Sequence, residues 1–230
     1  MSRRKIAITG SNGVIGKIIV DELSKKGYEL VLLDKSNPDN PIDLLHQNFA
    51  EYLVGVDTII HLAAHVSPYI SKELAQENIK LSERIIEVSK GCPSLRMIIN
   101  ASSVNVYPYY EMYYNKKTIS NKTPLSPNLK LAPGEYSKAK IICESLFNDY
   151  GKDRNILIIN LRFGHVNFDD IIPQSKENAK EDNEIEKLIF LYHTDLRKII
   201  NKTLTLNTSG AFLCVSHDSK LFNKNICFPI

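Results

Sequence analysis

The chain has 230 residues, 43% of them apolar and 24% charged, a foldable composition that argues against disorder along most of its length. Its 29 basic and 26 acidic side chains leave a formal charge of +3 with no face-sized basic run, which argues against a nucleic-acid partner. No stretch approaches the ~18 apolar residues that a membrane helix needs.

Met1–Lys5 resembles the charged start of a signal peptide, but the apolar run after it lasts only from Ile6 to Ile8. Cys92, Cys143, Cys214 and Cys227 form no CxxC pair and have no metal spacing with histidine. They read as free thiols in a reducing compartment, so a cytoplasmic location and no metal are expected.

In chain order, Lys5–Thr9 is an apolar strand that stops at Gly10. Val14–Lys26 carries apolar residues at helical spacing and ends at Gly27, a favourable residue just past a helix. Glu29–Leu33 and Thr58–Ala63 are strand runs, and Pro41–Leu44 is the only room for a strand between them. Ser71–Lys90 is a long helix closed by Gly91 and Pro93. Arg96–Ala101 and Ile156–Leu161 are two more strands, with a helix over Glu135–Asp149 before the second. Gln174–Asn183 reads as a polar loop and Glu184–Asn201 as a helix, while Thr203–Leu206 and Ala211–Val215 are candidate short strands. This alternation predicts an α/β fold, a doubly wound parallel sheet with helices on both faces. Residues 1–166 would form the dinucleotide-binding and catalytic part, and residues 167–230 a small substrate-binding region.

Thr9–Gly16 reads G-x-x-G-x-x-G between a strand and a helix. Gly10 permits the tight turn, Gly13 lets backbone approach a pyrophosphate, and Gly16 lets the helix pack close to the strand. The N–H groups at the helix start, around Asn12, Val14 and Ile15, suit an anion. Asp34 follows 18 residues past Gly16, at the end of the second strand, where an acid accepts from ribose hydroxyls and repels a 2′-phosphate. NAD is therefore favoured over NADP, although the adjacent Lys35 weakens that preference.

Tyr136 and Lys140 stand four residues apart, on one face of a helix. A phenol is a poor base at neutral pH, and a nearby ammonium favours its phenolate. Ser103 and Ser102 follow the strand Arg96–Ala101, at the sheet edge where ligands bind; either hydroxyl could donate to a substrate oxygen.

With these motifs the chain resembles the extended short-chain dehydrogenase/reductases, the NAD-dependent epimerase/dehydratase group. Val56–Ala64 is similar to the family's fourth-strand motif, which implies that Leu62, Ala63 and Ala64 line adenosine and ribose. Ala101–Tyr107 is similar to its S-S-x-x-V-Y signature and makes Ser103 the catalytic serine beside Tyr136 and Lys140. Asn160–Gly164 resembles the segment that passes the nicotinamide, with Phe163 beside the cofactor. Asn78 lies on the inward stripe of its helix, and the resemblance implies that it ties that helix to the active-site strands. Asp43 and Leu44 are the candidates for the adenine contact.

The sequence departs from the family in the compressed stretch between Asp34 and Thr58 and in the 33 residues from Ser103 to Tyr136. The latter hold Tyr107, Tyr109, Tyr110, Tyr113 and Tyr114, which could stack on a sugar ring or simply pack as a surface loop or dimer contact. Only 64 residues follow Val166, which suggests a small substrate. The layout is similar to uronate dehydrogenases, and that resemblance implies that Ser67, Ser103, Asn105, Arg162 and His165 line the substrate. Arg162 could hold a carboxylate or form a salt bridge at the strand end. The expected activity is hydride transfer between NAD and a small sugar or sugar acid. The alternatives are a nucleotide-sugar epimerase or dehydratase with tightly held NAD, and a non-catalytic dinucleotide-binding sensor or subunit. The resemblance also implies a homodimer formed through the helices Ser71–Lys90 and Glu135–Asp149.

Overall fold

The structure, a computed structural model, describes residues 4–67, 69–120, 123–126, 134–172, 185 and 187–216. Six parallel strands form one sheet: β1 (Lys5–Thr9), β2 (Glu29–Leu33), β3 (Thr58–His61), β4 (Met97–Ser103), β5 (Leu157–Phe163) and β6 (Gly210–Cys214), in the spatial order β2-β1-β3-β4-β5-β6. The chain leaves β1 towards β2 on one side and returns to β3 on the other. The carboxyl ends of β1 and β3 therefore flank the point where strand order reverses, the place where open α/β sheets bind ligands.

Strand residues alternate between two apolar layers, which is why the strands read as nearly unbroken apolar runs. Ile6, Ile8, Ile60, Ile99 and Ile159 face α1 (Val14–Lys25) and its neighbours. Ala7, Ile59, Ile98 and Ile158 face the opposite layer, with Leu81 and Ile85 of α2 (Lys72–Ser89). A short helix, α3 (Tyr109–Tyr114), precedes α4 (Glu135–Arg154), and α4 packs beside α2 over β4. The last described helix, α5 (His193–Thr203), packs on α1, and β6 extends the same sheet past β5.

Three expectations change. Pro41–Leu44 adds no strand: Asn37 N and Ile42 N both donate to the Asp34 carbonyl, which folds the chain back. Ile42, Leu44, Phe49 and Leu53 instead bury against Leu33. Two dozen residues are too few to build a strand and two crossovers as well. The helix expected over Glu184–Asn201 is interrupted, because Phe190 pairs with His165 and α5 starts only at His193. Thr203–Leu206 is no strand either, since Thr203 closes α5 with its hydroxyl on the Ile199 carbonyl. The polar stretch Gln174–Asn183 lies outside the described residues.

Candidate active site

The glycine turn joins β1 to α1. Gly10 has φ of 67°, and a Cβ there would stand 2.7 Å from Ala63 N, so the turn abuts the chain that leaves β3. A Cβ on Gly16 would meet the Gly10 carbonyl at 2.2 Å, so only glycine lets α1 begin this close to the turn. Gly13 caps α1 with no side chain over the first-turn N–H groups. A Cβ on Gly13 would meet nothing nearer than the Gly10 carbonyl at 3.3 Å. The Ser11 hydroxyl is buried without a partner.

Asp34 leaves the end of β2 and braces the turn. Its Oδ2 accepts from Asn12 N at 2.9 Å, and its Oδ1 accepts from Ser36 N and Oγ at 2.8 and 2.7 Å. Burial alone would raise its pKa. The bonds from Ser36 and Asn12 and the Lys35 charge outweigh that and hold the carboxyl below its usual range. Oδ2 keeps one acceptor site for another donor.

Tyr136 and Lys140 project from the first turns of α4, and both are buried. The Lys140 ammonium donates to the Ala101 carbonyl of β4 at 2.7 Å and lies 5.7 Å from the Tyr136 ring centroid. Ser103 ends β4. Its Oγ accepts from Asn105 N at 3.2 Å, which leaves its own proton for another acceptor. Ser102, the competing hydroxyl, instead donates to Glu144 at 2.5 Å.

A cavity of about 580 Å³ brings these parts together. The glycine turn, Asp34, Asp43, Leu44, residues 62–64, Ser103, Tyr136, Lys140 and Phe163 all line it. Asn78 does not. Its buried amide clamps the loop after β3, accepting from His65 N at 2.7 Å and donating to His65 O at 3.0 Å. Its tie therefore runs to that loop and not to a strand.

The residues expected around the substrate, apart from Ser103, stand outside the cavity lining. Ser67 caps a turn by accepting from Tyr69 N. The Asn105 carbonyl Oδ1 is buried without a partner. The His165 ring stacks on Phe190 at 6.0 Å. Arg162 needs correction as a carboxylate holder: its Nε and Nη2 donate to the two oxygens of Glu144 at 2.9 and 2.7 Å, and Nη1 donates to the Tyr107 hydroxyl. Burial works to strip its proton, but Glu144 and Tyr107 more than offset this and push its pKa up. Within the tyrosine-rich segment, Tyr107 and Tyr109 are core residues, Tyr113 is partly buried, and Tyr113 packs edge-on to Tyr114. The buried pair Tyr107 and Tyr109 is thus closed to stacking on a sugar.

Sequence reading missed how far the polar stripe of α4 extends. Tyr136, Lys140, Glu144 and Asn148 follow at four-residue steps, where an amphipathic helix would place apolar side chains. Each of the last three has a partner on the sheet: Ala101, Ser102 with Arg162, and Asn160. The four-residue repeat of polar groups on an inward face was the available signal.

Comparison with known proteins places these features in a family. Residues 6–168 match the NAD dependent epimerase/dehydratase family. A sterol-4-alpha-carboxylate 3-dehydrogenase, decarboxylating, of Dictyostelium discoideum is 27% identical over 159 residues, 61% of this chain; the match spans only 46% of that enzyme's length. The uncharacterized protein YtbQ of Bacillus subtilis (strain 168) is 26% identical over 231 residues, 93% of this chain and 86% of its own. Among solved structures, a mutated uronate dehydrogenase superposes with a TM-score of 0.75 at 19% identity, over 97% of this chain and 78% of its own, which shows a shared fold. The glycine turn, the Tyr136–Lys140 pair and the matched span together lead to one conclusion: the chain belongs to the NAD dependent epimerase/dehydratase family.

Proposed function

We propose that the chain is an NAD-dependent oxidoreductase acting on a hydroxyl or carbonyl group of a small sugar-derived substrate. The observation that carries this reading is the single cavity lined by the glycine turn, Asp34, Ser103, Tyr136 and Lys140. Its volume lies within the roughly 300–1,000 Å³ of small-molecule and cofactor sites.

The residues present fit a dinucleotide. The uncapped start of α1 and the open face of Gly13 suit a pyrophosphate, and the remaining acceptor site on Asp34 suits a ribose hydroxyl. The Asp34 carboxylate opposes a 2′-phosphate and so favours NAD over NADP. Bound NAD supplies a hydride acceptor at its nicotinamide ring.

The chain's own groups handle the proton. Tyr136 takes the substrate hydroxyl proton during oxidation and returns it during reduction. The Lys140 ammonium, anchored on the Ala101 carbonyl, favours negative charge on the Tyr136 oxygen. Ser103 directs its proton at the substrate oxygen while Asn105 N holds its Oγ. Arg162 is read as part of the seam between α4 and β5 and not as a substrate holder, because Glu144 already supplies its counter-charge, Glu144 and Tyr107 take three of its five N–H donors, and it stands outside the cavity lining. The likeness in fold to a uronate dehydrogenase supports a sugar-derived substrate.

The test is a panel of aldoses and sugar acids assayed for NAD reduction by absorbance, run beside a UDP-sugar epimerisation assay. Net reduction of NAD with a panel member is the expected result. Isomerised product without net reduction would assign the site to an epimerase. Absence of NAD and NADP binding by calorimetry would overturn the reading altogether.

A further inference from the structure

We propose that Glu144 and Arg162 are positioning residues for the reaction. Their buried ion pair tethers the segment that carries Ser103 at both ends, at Ser102 and at Tyr107, and so fixes where the Ser103 hydroxyl points. This rests on the oxidoreductase reading above.

Ser103 stands where the sheet stops holding the chain. Its pairing with Phe163 is the last of the β4–β5 register, and a single 3-10 turn, Val104–Val106, follows. Its Oγ accepts from Asn105 N at 3.2 Å, the long end of the hydrogen-bond range. The residues on either side are held more firmly. Before it, the Ser102 hydroxyl donates to Glu144 Oε1 at 2.5 Å. After the turn, the Tyr107 hydroxyl accepts from Arg162 Nη1, and the guanidinium carbon lies 4.9 Å from the Tyr107 ring centroid. Arg162 Nε and Nη2 close the loop on the two oxygens of Glu144. All four side chains are buried.

The choice of a charged pair here points to geometry and not to stability. Apolar side chains of similar volume stabilise a core about as well as a buried ion pair does, whereas two parallel N–H···O bonds fix the mutual orientation of their partners. The frame of reference is α4, the helix that also carries Tyr136 and Lys140. Consecutive residues of β4 answer to it: Ala101 O accepts from Lys140, Ser102 donates to Glu144, and Ser103 keeps its proton for the cavity that Tyr136 and Lys140 also line. The ion pair thus ties the hydroxyl that orients the substrate oxygen to the helix that moves the proton. A reacting group displaced by about 1 Å can lose on the order of a hundredfold in rate, so such a tie has a kinetic effect.

The test cuts each tether and leaves the ion pair in place. Ser102→Ala removes the hydroxyl that Glu144 accepts from, and Tyr107→Phe removes the one that Arg162 reaches. Turnover of the whole chain is followed as NAD reduction with D-glucose, D-galactose and D-glucuronate and as epimerisation of UDP-glucose, on whichever the wild type turns over fastest. Each variant should lose about tenfold in kcat, with NAD affinity by calorimetry within about twofold of the wild type. A thermal melt of each variant checks that it is folded. The deciding measurement repeats both changes in a Ser103→Ala background. There each should lower kcat by less than about twofold, because the direction of a missing hydroxyl has no effect. An equal fall in both backgrounds would be general loosening and overturns the proposal. So does wild-type kcat in either single variant. A wild-type chain that turns over none of these sugars instead ends the oxidoreductase reading and this proposal with it.

Discussion

Glu144 grips Arg162 through both carboxylate oxygens in the buried seam between α4 and β5, with the two N···O distances at 2.9 and 2.7 Å. The same carboxylate accepts from Ser102, one residue before Ser103, and stands one helical turn below Lys140. The ion pair therefore lies directly beneath the candidate catalytic groups. Glu144→Gln would leave a buried guanidinium without its counter-charge, at a cost of about 3–5 kcal/mol. Replacing both members with apolar side chains should cost less than either single change, because no buried charge is then stranded. Urea unfolding of the three variants measures this; a double variant less stable than both singles would refute it.

Tyr136→Phe removes one hydroxyl and leaves the ring in its packing with Ile70, Ala75 and Ala139. Turnover with an identified substrate should fall by about 10²–10⁴-fold, the usual contribution of a positioned general base. Affinity for NAD should stay within about twofold, since the cradle is untouched. Near-normal turnover in the variant would remove Tyr136 from the proton-transfer role.

His61 is fully buried on β3, and burial, with a smaller contribution from the Lys140 charge, pushes its pKa down to about 3. Thr9 Oγ1 accepts from Leu62 N and Ala63 N, so its single proton goes to His61 Nδ1 and the ring proton sits on Nε2. In the unfolded chain the imidazole takes up a proton below its ordinary value of 6.5; in the folded chain it does not until about 3. Its contribution to stability is therefore complete above the unfolded value and is lost as pH falls through this window, by about 1.4 kcal/mol per unit. His61→Asn keeps an acceptor for Thr9 but has no such titration. Urea unfolding across the window should show a shallower acid loss in the variant, and an identical slope would exclude His61 as the source.

Gly16→Ala sets a methyl against the Gly10 carbonyl at 2.2 Å and the Ser11 carbonyl at 2.7 Å, both backbone atoms that cannot swing away. The turn must shift, with a stability loss of about 1–3 kcal/mol and a fall in NAD affinity of about tenfold or more. Gly91→Ala is the contrast, because a Cβ there stands 3.6 Å from the Val88 carbonyl, an ordinary contact. Equal NAD affinity for the two variants would show that the closeness of the turn to α1 has no bearing on the cofactor.

Features with local causes were legible in the sequence. β1 and β2 match the runs expected for them, and α2 begins after Ser71, whose hydroxyl accepts from Leu74 N as a cap should. The glycine turn, Asp34 and the Tyr136–Lys140 pair follow from spacing along single elements, and all line one cavity. Partnerships between distant elements were not legible. Nothing in the order of residues says that Glu144 reaches Arg162 eighteen positions on, or that Tyr107 closes the same network. Residues 41–44 failed as a strand for a related reason: backbone bonds to Asp34 O, set by a turn, outweigh a weak strand propensity.

The turn-back after Asp34 has a consequence for the sheet as a whole. Among the described residues β2 is an outermost strand, so one row of its N–H and C=O groups lacks a neighbouring strand. Such a rim is a template on which a strand of another molecule can add. Here the rim is five residues long and opens with Glu29, which is ion-paired to Lys5, while Phe49 and Leu53 pack beside Leu33 at its far end. Its shortness and the charge of Glu29 at its start are features that limit such strand addition.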